Sequence, residues 1–222
     1  MKIAIIAAMS KELALLIPMI SDHSTVTVNG IVFHTGRIGD HSVIASECGI
    51  GKVNAAIGTM TVIDTFHPDM VINTGVAGGT GRRAGILDTV IADRIAYHDV
   101  WCGPGTVPGQ AAGCPMTFDC PFPDSLFEGL DVMRGMVASG DIFVSRREEV
   151  DHILEVCPDA VAVDMESAAI AQVCWLKSVP FLCIRVISDT PGGADNIAQY
   201  ENFWTDAPAH TFATLTAILS RL

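Results

Sequence analysis

The sequence is short of positive charge. Its 222 residues include 13 Lys and Arg against 25 Asp and Glu, which gives a formal net charge of −12. Non-specific affinity for nucleic acid and for anionic membrane surfaces comes from Lys and Arg. The composition therefore argues against both kinds of partner.

The sequence also lacks long apolar runs and paired cysteines. No segment approaches the roughly 18 uninterrupted apolar residues that a membrane helix needs, and the apolar start, residues 1–12, is too short for a signal peptide and is typical of a first strand. The seven cysteines are scattered, odd in number and never arranged as CxxC, unlike a disulfide framework. We expect a reducing compartment, the cytoplasm, and neither a zinc cluster nor another metal site, because the seven histidines are dispersed as well.

Strand-like and helix-like patterns alternate along the chain, which is half apolar. Strands are predicted at Ile3–Ala8, Ser24–Val28, Ile31–Thr35, His41–Ser46, Met70–Asn73, 88–97, Gly135–Val144, Val161–Val163 and Phe181–Ser188. Helices are predicted at 11–20, with Ser10 as N-cap, and at 52–66, 148–156, 166–176 and 198–221. Asn29-Gly30 predicts a hairpin turn, and residues 102–124 form a long Gly/Pro-rich irregular segment.

No linker or repeat divides the chain, so we predict one α/β domain over 1–222. Its expected architecture is a three-layer αβα sandwich with a central mixed, largely parallel twisted sheet.

Two glycine-rich motifs do not carry a cofactor site. Residues 79–84 match the letters GxGxxA and follow a strand, but a β-like segment comes next and not the helix that would hold pyrophosphate. Gly51-Lys52 is not a P-loop, because Val53 stands where Ser or Thr is required and Ser46 where the first glycine belongs. We expect no cofactor.

Three acids follow strand-like segments. Glu12 and Glu166 lie near helix starts, and Asp189 ends the most hydrophobic predicted strand. Ligands of open α/β sheets bind outside the carboxyl ends of the strands, so these acids are expected to meet at one crevice. The alternative is that acids are simply favoured in the first turn of a helix. Arg185, inside the same apolar strand as Asp189, requires a buried acid beside it, and Glu166 or Asp164 is the candidate.

Short motifs along nearly the whole chain resemble those of the 5′-methylthioadenosine/S-adenosylhomocysteine nucleosidases, within the nucleoside phosphorylase superfamily. They are residues 5–9 with Glu12, and 49–53, 73–79, 97–99, 113–115, 139–143, 164–168 and 185–189. The resemblance implies a nucleoside phosphorylase-like fold, a homodimer, and hydrolysis of the N-glycosidic bond of the two named nucleosides, which releases adenine.

The resemblance also implies roles for single residues. Asp189 is the general acid at adenine N7, with Ser188 orienting it; Glu12 activates the attacking water; and Glu166, with the Met165 backbone, binds the ribose hydroxyls. The remaining contacts to sugar and base are assigned to Met9, Ile50, Val76, Ala77, Gly78, Phe143, Val144 and Tyr200. Phe143 would stack on adenine, the Val144 backbone would read its polar edge, and Tyr200 would lie at the 5′ end.

The sequence differs from the common pattern of these nucleosidases in two places, and three other functions remain open at this point. Val76 stands where many relatives have Ser, and residues 100–112 lack the aromatic residues that many relatives place over the 5′ substituent. The alternatives are a phosphorolytic purine nucleoside phosphorylase, a hydrolase of another purine nucleoside of the futalosine type, and a non-catalytic nucleoside-binding module. Ser10-Lys11-Glu12 in the first loop favours water over phosphate, because an acid there repels phosphate.

Overall fold

The computed structural model describes residues 1–193, 195–206 and 208–222, without the side chains of residues 205–212. The strands are β1 Lys2–Ala7, β2 Ser21–Val28, β3 Ile31–Ile38, β4 His41–Glu47, β5 Met70–Gly79, β6 Thr89–Tyr97, β7 Phe118–Asp119, β8 Met133–Ser139, β9 Ala160–Asp164 and β10 Phe181–Asp189. The helices are α1 Ser10–Leu16, α2 Lys52–Phe66, α3 Arg147–Val156, α4 Ser167–Lys177, α5 Asn196–Asp206 and α6 Pro208–Leu219. Short 3₁₀ turns follow α1 and β7 at Ile17–Met19 and Asp124–Leu126.

All ten strands belong to one mixed sheet. Its order is β10-β6-β8-β9-β5-β1-β4-β3-β2, and β7 lies beside β6. Strand β10 also pairs with β5, which closes β10, β6, β8, β9 and β5 into a ring. The antiparallel pairing of β5 with β9 is short, Gly78 with Val163 and Gly79 with Ala162, and it brings the carboxyl ends of these strands together.

Helices cover both faces of the sheet, as predicted. Alternate residues of β1 enter different hydrophobic clusters: Ala4 and Ile6 pack with residues of α2 and α4. Ile3 and Ile5 pack with residues of α1 and α6. Because successive side chains of a strand point to opposite faces, this division defines two helical layers around one sheet. The predicted α/β layered fold is confirmed.

The hairpin between β2 and β3 also has the predicted turn. Asn29 and Gly30 both have positive φ, 51° and 81°, as the two central residues of a type I′ turn require. Val28 pairs with Ile31 on either side of them. This hairpin forms the end of the sheet remote from the ring.

The structure corrects four local predictions. The β8 strand ends at Ser139 and does not continue to Val144. The predicted helix over 198–221 is two helices, and the second begins at Pro208, a residue without an N–H and therefore suited to a helix start; residue 207 lies outside the described residues. Met9, and not Ser10, is the N-cap of α1. The irregular segment 102–124 contains β7 and the beginning of a 3₁₀ turn.

The described helices include none that is long and apolar enough to cross a membrane.

Candidate active site

A pocket lies at the carboxyl ends of β1, β5, β8, β9 and β10. It holds about 610 Å³ of space outside the protein atoms, including its open mouth. Its walls contain every acid and every contact residue that the sequence singled out: Met9, Glu12, Ile50, Val76, Ala77, Gly78, Phe143, Val144, Met165, Glu166, Ser188, Asp189 and Tyr200. The pocket is also lined by Ala8, Ile142, Val163 and Asp164, which no sequence pattern indicated as wall residues.

Glu12 lies in the first turn of α1 and is 3 % exposed. Its Oε2 accepts the backbone N–H groups of Ala8 (2.9 Å) and Met9 (3.0 Å), and its Oε1 accepts that of Val76 (3.0 Å). Burial raises the pKa of Glu12 above its usual value, against the charge of Arg185 and the three N–H donors. The side chain is held on both oxygens and is also a stronger proton acceptor than an exposed carboxylate.

Gly75 makes room for that carboxylate. A Cβ at this position would lie 2.4 Å from Glu12 Oε1 and 3.2 Å from Arg185 Nη1, closer than such atoms approach without displacement. A side chain at this position would therefore displace the Glu12 carboxylate, because Glu12 and Arg185 both pack against the strand backbone here.

The buried acid beside Arg185 is Asp164. Arg185 Nε and Nη2 lie 2.8 and 2.7 Å from Asp164 Oδ2, and Nη2 also donates to Asn73 Oδ1. Asp164 Oδ1 accepts the backbone N–H groups of Glu166 and Ser167. Arg185 thus holds Asp164 in place, and Asp164 in turn fixes the backbone of the turn that carries Glu166.

Glu166 lies directly before α4 and faces the pocket. Its Oε1 accepts the backbone N–H of Gly51 at 2.9 Å, which links the β9–α4 turn to the loop before α2. Burial and, next, the charge of Asp164 raise the pKa of Glu166. A second oxygen, Oε2, is left for a ligand.

Asp189 ends β10 and is 3 % exposed. Its Oδ1 is 2.6 Å from Ser188 Oγ, and its Oδ2 accepts from Asn196 Nδ2 at 2.8 Å. Burial raises the pKa of Asp189, while the hydrogen bonds from Ser188 and Asn196 act in the opposite direction. Asn196 was not found from the sequence, because it follows a Gly-rich turn and no motif marks it.

Phe143 is a pocket wall and not a core residue. It follows the end of β8 and is 49 % exposed, and its ring packs edge-on against Tyr200 with centroids 5.5 Å apart. The Tyr200 hydroxyl in turn contacts Met9 Sδ at 3.4 Å. These three side chains form an aromatic and thioether wall on one side of the pocket.

Metal ligation is not indicated by the described residues, since none of their His, Cys, Asp and Glu side chains form a group of three or more suited to hold an ion.

Known proteins resemble the whole chain. The family model described as the Phosphorylase superfamily matches residues 2–220. A 5′-methylthioadenosine/S-adenosylhomocysteine nucleosidase of Hydrogenovibrio crunogenus is 38 % identical over 100 % of this chain and 99 % of its own. That of Geobacillus thermodenitrificans is 37 % identical over 99 % and 97 %.

Solved structures of such enzymes share the fold. The S-adenosylhomocysteine nucleosidase of Streptococcus pyogenes in complex with 5-methylthiotubericidin superposes with a TM-score of 0.93 at 35 % identity, covering 100 % of this chain and 97 % of that one. The Colwellia psychrerythraea nucleosidase in complex with adenine gives a TM-score of 0.94 at 33 % identity, with coverage of 100 % and 96 %. The chain therefore belongs to the phosphorylase superfamily and, within it, to the 5′-methylthioadenosine/S-adenosylhomocysteine nucleosidases.

Proposed function

We propose that this protein hydrolyses the N-glycosidic bond of 5′-methylthioadenosine and S-adenosylhomocysteine, releasing adenine and the 5-thio-substituted ribose. The observation that carries the proposal is the meeting of three buried carboxyl groups, Glu12, Glu166 and Asp189, in one pocket. The names of the full-length relatives supply the substrates.

Asp189 is the general acid in this scheme. Adenine is a poor leaving group as an anion, so a proton at N7 lowers the barrier to breaking the bond between C1′ and N9. Burial raises the pKa of Asp189 and so favours the protonated form that this role requires. Ser188 orients the acid through its contact with Oδ1.

Glu12 activates the water that attacks C1′. Its carboxylate is fixed by three backbone N–H groups. The lone pairs that are left to accept a proton from water therefore have a fixed orientation. Positive charge develops on the ribose as the bond breaks. A negatively charged group beside the sugar stabilises that charge and takes the proton that the water loses.

Glu166 binds the ribose hydroxyls, together with the Met165 backbone. One oxygen is occupied by Gly51 N–H, and the other accepts a sugar hydroxyl. Phe143 stacks on the base at the half-exposed wall, and the Val144 backbone reads its polar edge.

Charge favours hydrolysis over phosphorolysis. Phosphate as a nucleophile needs positive donors, yet the pocket walls, as far as the structure describes them, contain neither Lys nor Arg. Arg185 is 2 % exposed and paired with Asp164. Glu12 stands near the position that a phosphate would need, and its charge repels an anion.

We also propose a homodimer, as the resemblance implies. An exposed apolar face runs along the start of α2 and includes Ile50 (52 % exposed), Val53 (69 %) and Ile57 (53 %). Lys52 ties this face to the segment that follows β6 through an ion pair with Asp99 of 2.7 Å, and Trp101 is exposed two residues further on. Ile50 also lines the pocket, so a partner on this face would cover the pocket mouth.

A cytoplasmic location agrees with the cysteines. All seven, each in the described part of the chain, are free thiols, and Cys114, Cys120, Cys157, Cys174 and Cys183 are buried. A reducing compartment keeps such thiols reduced.

The test is an adenine-release assay on methylthioadenosine, S-adenosylhomocysteine and adenosine, each with and without phosphate. We expect release from the first two without phosphate, and the same rate when phosphate is added. Release that requires phosphate would replace hydrolysis by phosphorolysis. Release from none of the three nucleosides would overturn the proposal.

A further inference from the structure

The two oxygens of the Asp189 carboxyl group face donors of different kinds. Oδ1 contacts the hydroxyl of Ser188, and Oδ2 contacts the side-chain amide of Asn196. A hydroxyl can both donate and accept a hydrogen bond, whereas an amide N–H can only donate. Asn196 is 5 % exposed, so water does not readily replace its amide at Oδ2.

Only one of the two oxygens is suited to carry a proton. Ser188 Oγ lies 3.3 Å from the carbonyl oxygen of Ala77 as well as 2.6 Å from Asp189 Oδ1. With a proton on Oδ1, that proton is donated to Ser188 Oγ and the Ser188 hydroxyl donates to Ala77, so each polar atom has a partner. A proton on Oδ2 would point at the Asn196 N–H. Both groups are hydrogen-bond donors, so neither would have an acceptor there.

We propose that Asn196 is a positioning residue that keeps Oδ2 as an acceptor and thereby assigns the transferable proton of Asp189 to Oδ1. The inference rests on the proposed function, in which Asp189 protonates the leaving base. Asn196 is absent from the pocket walls, so it acts through Asp189 and not on the substrate.

The assignment gives a balanced proton transfer. When the nucleoside binds, N7 replaces Ser188 Oγ as the acceptor of the proton on Oδ1. The proton moves to N7, the electron pair of the bond between C1′ and N9 leaves with adenine, and water adds to C1′ while Glu12 takes its proton. The Ser188 hydroxyl then turns from Ala77 to Oδ1, and Asn196 continues to donate to Oδ2, so the new carboxylate has two donors.

The same segment offers a matched control. Gln199, also on α5, accepts the backbone N–H of Thr190 at 3.1 Å and has no contact with the carboxyl group of Asp189. Gln199→Ala therefore loosens the turn after β10 without removing a donor from the acid. Asn196→Ala removes the donor, and Asn196→Asp keeps the shape while replacing the N–H by an acceptor.

The experiment is the pH profile of kcat for methylthioadenosine with these three variants and the wild type. Because the acid must be protonated, kcat falls as pH rises through its pKa. We expect Asn196→Ala to lower the maximal kcat about tenfold and to move this falling limb up by about one pH unit, since the carboxylate has lost a charge-assisted hydrogen bond. We expect Asn196→Asp to move it in the same direction and Gln199→Ala to leave it in place, with KM little changed in all three.

Two results separate the inference from the function it rests on. A wild type that releases no adenine contradicts the proposed function. An active wild type whose falling limb stays in place in both Asn196 variants, or moves equally in Gln199→Ala, overturns the role of Asn196. If Asn196→Ala does not fold, as thermal unfolding would show, the isosteric Asn196→Asp decides.

Discussion

Arg185 of β10 and Asp164 of β9 form an ion pair across β5, with both side chains 2 % exposed and Nη2 2.7 Å from Oδ2. Strand β5 pairs with both of these strands, so the ion pair fixes three strand ends relative to one another. Glu166 follows Asp164 by two residues, and Asp189 follows Arg185 by four. The distance between Glu166, the proposed ribose-binding acid, and Asp189, the proposed proton donor, therefore depends on this ion pair.

Breaking the buried pair should strongly destabilise the protein. Arg185→Met leaves the Asp164 charge buried without its partner, and we expect a loss of about 3–5 kcal/mol in the free energy of unfolding, measured by urea denaturation. The double variant Arg185→Met/Asp164→Leu should recover much of the loss, because no charge is then left unpaired.

The surface pair of Arg94 and Asp159 is the control. Its side chains are 42 % and 67 % exposed, and Arg94→Ala should cost less than about 1 kcal/mol. Equal losses in the free energy of unfolding for Arg185→Met and Arg94→Ala would show that burial does not set the strength of the Arg185 pair.

Gly75→Ala should impair turnover through Glu12. The added Cβ would stand 2.4 Å from Glu12 Oε1, so the carboxylate must move away from the Val76 N–H that now holds it. We expect kcat for adenine release to fall about 10²-fold, as for loss of a positioned general base. Gly85→Ala, where the nearest atom to a Cβ is 3.7 Å away, should keep near-normal kcat. A similar loss in both variants would mean that the glycines affect folding and not Glu12.

The sequence predicted the positions of the three acids because each one follows an apolar, strand-like segment whose end can be recognised in the sequence. It did not predict the ring of strands that brings these ends together, since pairing of β10 with both β5 and β6 is a long-range property. It left the partner of Arg185 open between two acids, because both lie close to the end of β9 and only side-chain direction separates them. Asn196 was missed because its contact depends on how the turn after β10 folds back.

Stability should depend on pH through Asp189. Its folded-state pKa is raised above the ordinary 3.8 by burial, so the folded protein binds this proton more tightly than the unfolded chain does. The resulting stabilisation is complete below about pH 4 and is lost as pH rises through the raised pKa. Asp189→Asn lacks this loss, so its Tm should rise relative to the wild type as pH increases from about 4 to about 7.

Thermal unfolding of both proteins across that range measures the effect. Thr27→Ala, an exposed change that removes no titratable group, is the control and should keep a constant difference in Tm from the wild type. A constant difference for Asp189→Asn as well would contradict the raised pKa.

The α2 face should hold two copies of the chain together. Val53→Glu places a charge at a residue that is 69 % exposed and would be buried by the partner, where an unpaired charge is costly. We expect a wild-type dimer and a monomeric variant in sedimentation velocity. Val26→Glu, on the hairpin strand β2 and 40 % exposed, should remain dimeric. A wild-type monomer with full activity would exclude the dimer from the mechanism.

Protonation of the leaving base by Asp189 is best tested with two leaving groups. The Asp189→Asn variant is assayed on methylthioadenosine and on the 4-nitrophenyl glycoside of 5-methylthioribose, whose leaving group needs no proton. We predict that adenine release falls by about 10²-fold or more while 4-nitrophenol release stays within about tenfold of the wild type, and that Glu12→Gln impairs both. Equal losses on the two substrates, or near-normal adenine release, would contradict the role of Asp189 as the general acid.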